Sequence, residues 1–254
     1  MEQGHLDILK HNTDQVLPCI TSILVYDRAE LSAEKWLTGG TGFFVKTKER
    51  SFLVTAYHVY EEIEQLRKSK DISVLISGNG VTPFDISNWK EISSNKNVDI
   101  IVLEIPDSFD ITSLGKDYFK TKGSNAERIT VGESVFILGF PGEHRRGFRQ
   151  SVDCFMLPIM DSVTGVSENS FTVADEENER TVGHYSNTYK SIDNFGGMSG
   201  SPVLSIRNGC FELVGVFIEG GAFISGTHAP LVAAHYDLVA ADGVIDETKI
   251  PPRF

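Results

Sequence analysis

Apolar residues in this chain come in short runs, each closed off by Gly, Ser, Thr, Asn or charged residues, and the runs are rich in β-branched and aromatic side chains. "CITSILVY" (19–26), "TGFFVKT" (41–47), "SFLVTAYHV" (51–59), "ISVLIS" (72–77) and "DIIVLEI" (99–105) follow one another in the first half, and the pattern predicts strands. "TGFFVKTKERSFLVTA" reads as a hairpin with "KTKER" at its tip. The period changes at "VYEEIEQLRKSK" (59–70), where Tyr60, Ile63 and Leu66 fall along one helical face and charges recur at i,i+4 spacing. A short helix at about 5–12 is also compatible with the pattern. Strands resume with "SVFILGFP" (134–141), "VDCFMLPIM" (152–160), "SFTVA" (170–174), "SPVLSIR" (201–207), "FELVGVFIE" (211–219) and "APLVAAHYDLV" (229–239).

Between the two groups lies a long polar passage, "PDSFDITSLGKDYFKTKGSNAER" (106–128), whose length marks it as a connection between two halves. Many short strands with turns between them, rather than alternating strands and helices, predict an all-β sandwich or barrel architecture.

Composition narrows the class. The 254 residues are 41% hydrophobic and 23% charged, enough apolar material for a sizeable core. No apolar run approaches the ~18 residues that cross a bilayer, and "MEQGHLDILKHNTDQ" lacks the basic-then-apolar pattern of a signal peptide. The three cysteines, Cys19, Cys154 and Cys210, are too scattered for a disulfide framework or a zinc site, which fits a reducing, cytoplasmic setting. The net charge of −12 disfavours binding to phosphate backbones. The basic cluster "GEHRRGFRQ" (142–150) reads as a solvated loop.

Chemistry enters at "DNFGGMSGSPV" (193–203). Three glycines and two serines just ahead of an apolar run describe either a flexible turn or a backbone folded tightly around one hydroxyl. If the hydroxyl is that of Ser199, it needs a neighbouring base, and backbone N–H groups aimed at the oxyanion that forms on a substrate carbonyl. Of seven histidines, only His58 ends a strongly apolar strand and immediately precedes a helix, a setting that holds an imidazole rigidly. Asp99 opens the apolar run "DIIVLEI", where a carboxylate wants a partner. Taken singly, a histidine at 58 is more often structural, and an aspartate at 99 more often a surface cap of its strand. The order His, Asp, Ser makes the three informative together.

"TAYHV", "VDIIVLEI" and "GGMSGSPV" resemble the active-site blocks of the trypsin/chymotrypsin-like serine peptidases, and "GTGFFV…FLVTAYHV" with "VFILGFPG" is most similar to the bacterial HtrA/Deg type. The resemblance covers about 15–240. It implies a single peptidase domain over 1–254, made of two six-stranded antiparallel β-barrels with few short helices. The first barrel would span about 15–106, the connection 107–128 and the second about 129–240, with no PDZ domain. It also implies that His58 is the general base, Asp99 its orienting acid, Ser199 the nucleophile, and Gly197 with Ser199 the oxyanion donors.

The chain departs from the secreted members of that superfamily. Val59 and Phe195 stand where disulfide cysteines would, and Met198 stands where an aspartate would pair with a newly cut N-terminus. Activation by cleavage is therefore not expected, and the oxyanion turn must be preformed or ordered by a ligand, a protein partner or oligomerisation. The resemblance further places Asp193 at the floor of the primary pocket, where it would favour Arg or Lys. It places Gly220 at the pocket wall, and Ile218 and Glu219 where substrate backbone would pair.

These readings give a serine endopeptidase acting through an acyl-enzyme on protein or peptide substrates, with no metal or cofactor, no nucleic acid and no membrane. The alternative is a catalytically silent module of the same fold that binds or scaffolds. An esterase could use the same triad, but Ser199 is followed by a strand, unlike the strand-turn-helix setting usual for that fold.

Overall fold

The computed structural model describes residues 13–30, 35–77, 83–121, 127–148, 151–173, 181–182, 195–207, 210–220 and 231–251. The first half contributes β1 (Ile20–Asp27), β2 (Trp36–Lys46), β3 (Ser51–Ala56), helix α1 (Tyr57–Arg67), β4 (Ile72–Ile76), β5 (Phe84–Asp85), β6 (Glu91–Asn95), β7 (Ile100–Glu104) and β8 (Phe119–Lys120). The second contributes β9 (Ser134–Gly139), β10 (Arg145–Phe148), β11 (Ser151–Cys154), β12 (Leu157–Val166), β13 (Ser170–Val173), β14 (Thr181–Val182), β15 (Pro202–Arg207), β16 (Cys210–Gly220) and β17 (Leu231–His235). The helix read at about 5–12 lies outside the described residues.

Pairing divides the strands into two large sheets, one for each half, and a separate antiparallel β10–β11 hairpin. In the second half β9, β12, β13, β17, β16 and β15 pair in a closed ring of six, because β13 bonds both β17 and β12. In the first half the order is β5-β4-β1-β2-β3-β7-β6, with β8 set parallel against β2. The end strands β5 and β6 of this sheet are not paired to each other among the described residues. The β2–β3 hairpin forms around the polar tip, with Lys46 opposite Ser51. The 106–128 passage is more than a tether. It carries a 3-10 turn at Ile111–Leu114 capped by Asp110, and then β8, which returns to the first sheet.

The continuous apolar runs have a simple cause: both faces of the central strands are buried. Phe43 and Val45 of β2, Phe52 and Val54 of β3, and Ile100 and Val102 of β7 share one cluster with Phe136 and Leu138 of β9, Leu204, Val216 and Tyr236. That cluster joins the two halves. The intervening residues Phe44, Leu53, Ile101 and Leu103 face a second cluster with Val59 and Ile63 of α1, and Trp89. On β9 the other face, Val135 and Ile137, joins Phe171, Val203, Phe217 and Met198 in a third. Beyond β17 the chain turns at Gly243, bridges Val239 to Ile245, and buries Ile245 in the shared cluster. No helix among the described residues is long and apolar enough to cross a membrane.

Candidate active site

The site is assembled where β3 runs into α1. Sequence pattern places His58 at the end of a strand. In the structure β3 ends at Ala56, and His58 is the second residue of the helix. The first N–H groups of a helix have no acceptor within it, and Ala56 at the N-cap offers no side-chain oxygen. Asp99 takes that role from a distant turn. Its carbonyl accepts from the Tyr57 N–H at 3.0 Å and its Oδ1 from the His58 N–H at 2.8 Å. This starts the helix two residues earlier than its apolar periodicity suggests. The carboxylate also sits at the positive end of the helix dipole.

The other oxygen, Oδ2, lies 2.6 Å from His58 Nδ1. A carboxylate can only accept, so Nδ1 carries the proton and Nε2 keeps the basic lone pair. Asp99 reaches this position at φ 55, the left-handed region that aspartate tolerates better than most residues. The His58 side chain is 46% exposed and that of Asp99 22%. The hydrogen bond that Nδ1–H donates to Asp99 raises the His58 pKa above its ordinary value, against the opposing effect of partial burial, and the charges of Asp99, Glu62 and Glu219 add to the rise.

Ser199 lies in a tight double turn. The Met198 N–H donates to the Phe195 carbonyl at 3.0 Å, and the Met198 carbonyl accepts from the Ser201 N–H at 2.9 Å and the Ser201 hydroxyl at 2.5 Å. The Gly200 N–H donates to Phe217 at 2.7 Å. Neither the Gly197 nor the Ser199 N–H donates a hydrogen bond among the described residues. Gly197 and Gly200 adopt φ of 90° and 89°. A Cβ on Gly200 would lie 2.1 Å from the Thr41 carbonyl oxygen, and one on Gly197 would lie 2.7 Å from the Gly142 nitrogen, so the turn requires glycine at both.

The turn is latched to the first half. The Thr41 N–H donates to the Ser199 carbonyl at 2.9 Å, and its hydroxyl donates to Gly197 O at 2.9 Å while accepting from the Phe140 N–H at 2.9 Å. A Cβ on neighbouring Gly40 would meet the Val59 side chain at 2.9 Å and the Ser199 carbonyl at 3.1 Å. The backbone of Ser199 and the first turn of α1 therefore share one wall. The Ser199 hydroxyl makes no hydrogen bond to the imidazole among the described residues. Such bonds are often long in unliganded sites and tighten when substrate arrives.

The remaining candidates divide. Ile218, Glu219 and Gly220 lie on a stretch of β16 whose pairing with β15 has stopped at Val216, while pairing with β17 continues to Gly220. One backbone edge of 218–220 is thus open among the described residues, and the exposed Glu219 is close enough for its charge to be felt at His58. Asp193 lies outside the described residues. No group of three or more His, Cys, Asp or Glu side chains among them is placed to share a metal ion.

Two residues here escaped sequence reasoning. Thr41 appears only as one hydroxyl in "GTGFFV", with no partner legible nearby. Arg145 overturns the reading of 142–150 as a solvated loop: it begins β10, is only 6% exposed, and hydrogen-bonds three backbone carbonyls, one of them that of Gly197.

The family model described as "Trypsin-like peptidase domain" matches residues 40–216, most of the chain. Among solved structures, Deg5 shares 17% identity over 86% of this chain and 87% of its own, with a TM-score of 0.51. An inactive form of Rv3671c from M. tuberculosis H37Rv shares 18% identity over 88% and 83%, with a TM-score of 0.47. No curated protein sequence matches the chain.

Proposed function

Since the chain belongs to the trypsin-like peptidase domain family, we propose that it is a serine endopeptidase working through an acyl-enzyme. Ser199 is the nucleophile. Its Oγ attacks the scissile carbonyl while His58 Nε2 takes the hydroxyl proton, and Asp99 holds the ring in the tautomer that leaves Nε2 basic. The developing oxyanion is received by the N–H groups of Gly197 and Ser199. His58 then returns its proton to the leaving amine, and water hydrolyses the ester with the same base and the same donors.

The observation that carries this reading is the double hold of Asp99 on His58, through backbone N–H and Nδ1, beside a glycine turn with two N–H groups that donate to none of the described residues. Preorganised donors of that kind are typically worth a factor of 10² to 10³ each in kcat. Substrate backbone would add to the open edge at Ile218–Gly220, extending the sheet by one strand. For the residue before the scissile bond we propose Arg or Lys, with Asp193 at the pocket floor.

A fluorophosphonate probe tests the mechanism. Labelling is expected at Ser199 and lost in Ser199→Ala and His58→Ala. Labelling that survives in Ser199→Ala would overturn it. A proteome-derived peptide library tests the pocket separately. Cleavage after Arg and Lys should weaken selectively in Asp193→Ser, and an unchanged preference removes Asp193 from that role.

A further inference from the structure

Arg145 is a buried cation without an anionic partner among the described residues. Its Nη2 donates to the carbonyls of Phe140 at 3.0 Å, Gly40 at 3.2 Å and Gly197 at 3.3 Å. These three oxygens belong to three separate segments: the end of β9, the middle of β2 in the other half, and the turn carrying Ser199. The guanidinium reaches them because two glycines leave room. A Cβ on Gly39 would come within 2.5 Å of Nη1, and one on Gly197 within 2.8 Å of Nη2. Its Nε has no partner among the described residues. Burying a guanidinium with only carbonyl acceptors is expensive, and burial pulls its pKa downward. So costly an arrangement asks what the contact holds in place.

The answer lies in the peptide planes around Gly197. The Gly196 carbonyl accepts from the Gly142 N–H at 2.7 Å, which turns the N–H of the same peptide unit, that of Gly197, to the opposite side. The Gly197 carbonyl is gripped by the Thr41 hydroxyl and by Arg145. The first contact aims the Gly197 N–H; the second fixes the next peptide plane, whose own N–H, that of Met198, donates to the Phe195 carbonyl, so that both backbone angles of Gly197 are held. Released, a glycine at φ 90 can rotate with little steric penalty. Met198, which follows, is fully buried among apolar side chains and offers no charge to anchor the turn.

We propose that Arg145 is the positioning residue that keeps the Gly197–Ser199 turn in its oxyanion-receiving form, so that a buried guanidinium on the β10–β11 hairpin preorganises the site without any cleavage of the chain. Arg145 touches neither substrate nor reacting atoms. It acts on the peptide plane between Gly197 and Met198, which sets how the N–H groups of Gly197 and Ser199 lie relative to each other, and the effect belongs in kcat and not in substrate binding along the β16 edge. This rests on the peptidase reading above.

The test uses Arg145→Lys and Arg145→Ala in the full chain, assayed with the best substrate from the peptide library. Arg145→Ala should lose about 10²-fold to 10³-fold in kcat with KM within about threefold, the pattern of a lost transition-state contact. Added guanidinium ion at millimolar concentration should restore part of the kcat in Arg145→Ala and none in Ser199→Ala. Arg145→Lys keeps the charge but has lost the planar fork, and should fall between. A folded Arg145→Ala with unchanged kcat overturns the proposal, as does a loss confined to KM. The amide resonances of Gly196 and Gly197 supply a readout independent of turnover. They should shift or broaden in both variants, while resonances of the third apolar cluster stay put. If wild type neither labels nor cleaves, the peptidase reading fails, and these resonances still decide whether Arg145 sets the turn.

Discussion

Both carboxylate oxygens of Asp99 are engaged by His58, Oδ1 by its backbone N–H at 2.8 Å and Oδ2 by its Nδ1 at 2.6 Å. One side chain thus starts the helix and orients the ring on it. Asp99→Asn should separate the two tasks. Asparagine tolerates the left-handed backbone at φ 55 and can still accept from the His58 N–H. Its amide cannot stabilise an imidazolium and can favour the wrong tautomer. The expected outcome is a folded protein with a melting temperature near wild type and kcat reduced on the order of 10⁴-fold. Asp99→Ala should lose activity too, and should cost a further ~1 kcal/mol of stability for the strained backbone. Urea denaturation beside peptide hydrolysis reads both effects.

The charge around His58 fixes the direction of the pH dependence. Only the neutral imidazole can accept the Ser199 proton, so kcat/KM should rise with pH as His58 deprotonates. The folded-state pKa is raised, chiefly by the hydrogen bond to Asp99 and further by the charges of Asp99, Glu62 and Glu219. The acid limb should therefore lie to the alkaline side of an ordinary imidazole. Glu219→Gln removes one of the negative charges and should move the limb toward lower pH. So should added salt, which screens exposed charges beyond about 10 Å at 0.1 M. A limb that stays in place in Glu219→Gln would put that carboxylate too far from the ring to matter.

Much of this arrangement was legible in the chain before folding. The β-branched runs predicted strands where strands form, and the "KTKER" tip predicted the β2–β3 hairpin. Local spelling singled out His58, Asp99 and Ser199 because each sits at the edge of an apolar run, where a polar group is conspicuous. What could not be read were relations between distant segments. The helix begins at Tyr57 because Asp99 caps it from 42 residues away, and no local pattern announces such a cap. Arg145 reads as part of a basic, solvated loop because its three acceptors are backbone carbonyls, and a carbonyl has no signature in sequence. The same holds for Thr41, whose partners lie about a hundred residues or more downstream.

Thr41 is fully buried, and its hydroxyl joins the two halves. Thr41→Val keeps the shape and deletes the hydroxyl. The Phe140 N–H would then be left without that acceptor, and Gly197 O would keep only the longer bond from Arg145 at 3.3 Å. A buried backbone group left unsatisfied costs about 1–3 kcal/mol. Thr41→Val should therefore lose stability by about that amount in urea, and kcat along with it. Thr41→Ser restores the hydroxyl and should recover most of both. If Thr41→Val loses stability but keeps its kcat, the latch is structural only, and the turn is held by Arg145 and Gly142.

Met198 provides the converse case, a place where adding charge should do harm in a pH-dependent way. Its side chain is fully buried among Val135, Ile137, Phe217 and their neighbours. Met198→Asp would put a carboxylate there. Among those apolar side chains, burial disfavours the charged form and raises the folded-state pKa of the new carboxyl above the unfolded value of about 3.9. Below about pH 3.9 the group is neutral in both states, and the variant carries only the loss of apolar packing. As pH rises past that point the unfolded chain releases its proton first. The penalty then grows by about 1.4 kcal/mol per pH unit until the folded-state pKa is passed. The stability gap from wild type should therefore be wider at pH 7.5 than at pH 5 when both are measured in urea. A gap that does not widen with pH would mean that a cation has reached the carboxylate, with Arg145, already bonded to the adjacent Gly197 carbonyl, as the residue to truncate next.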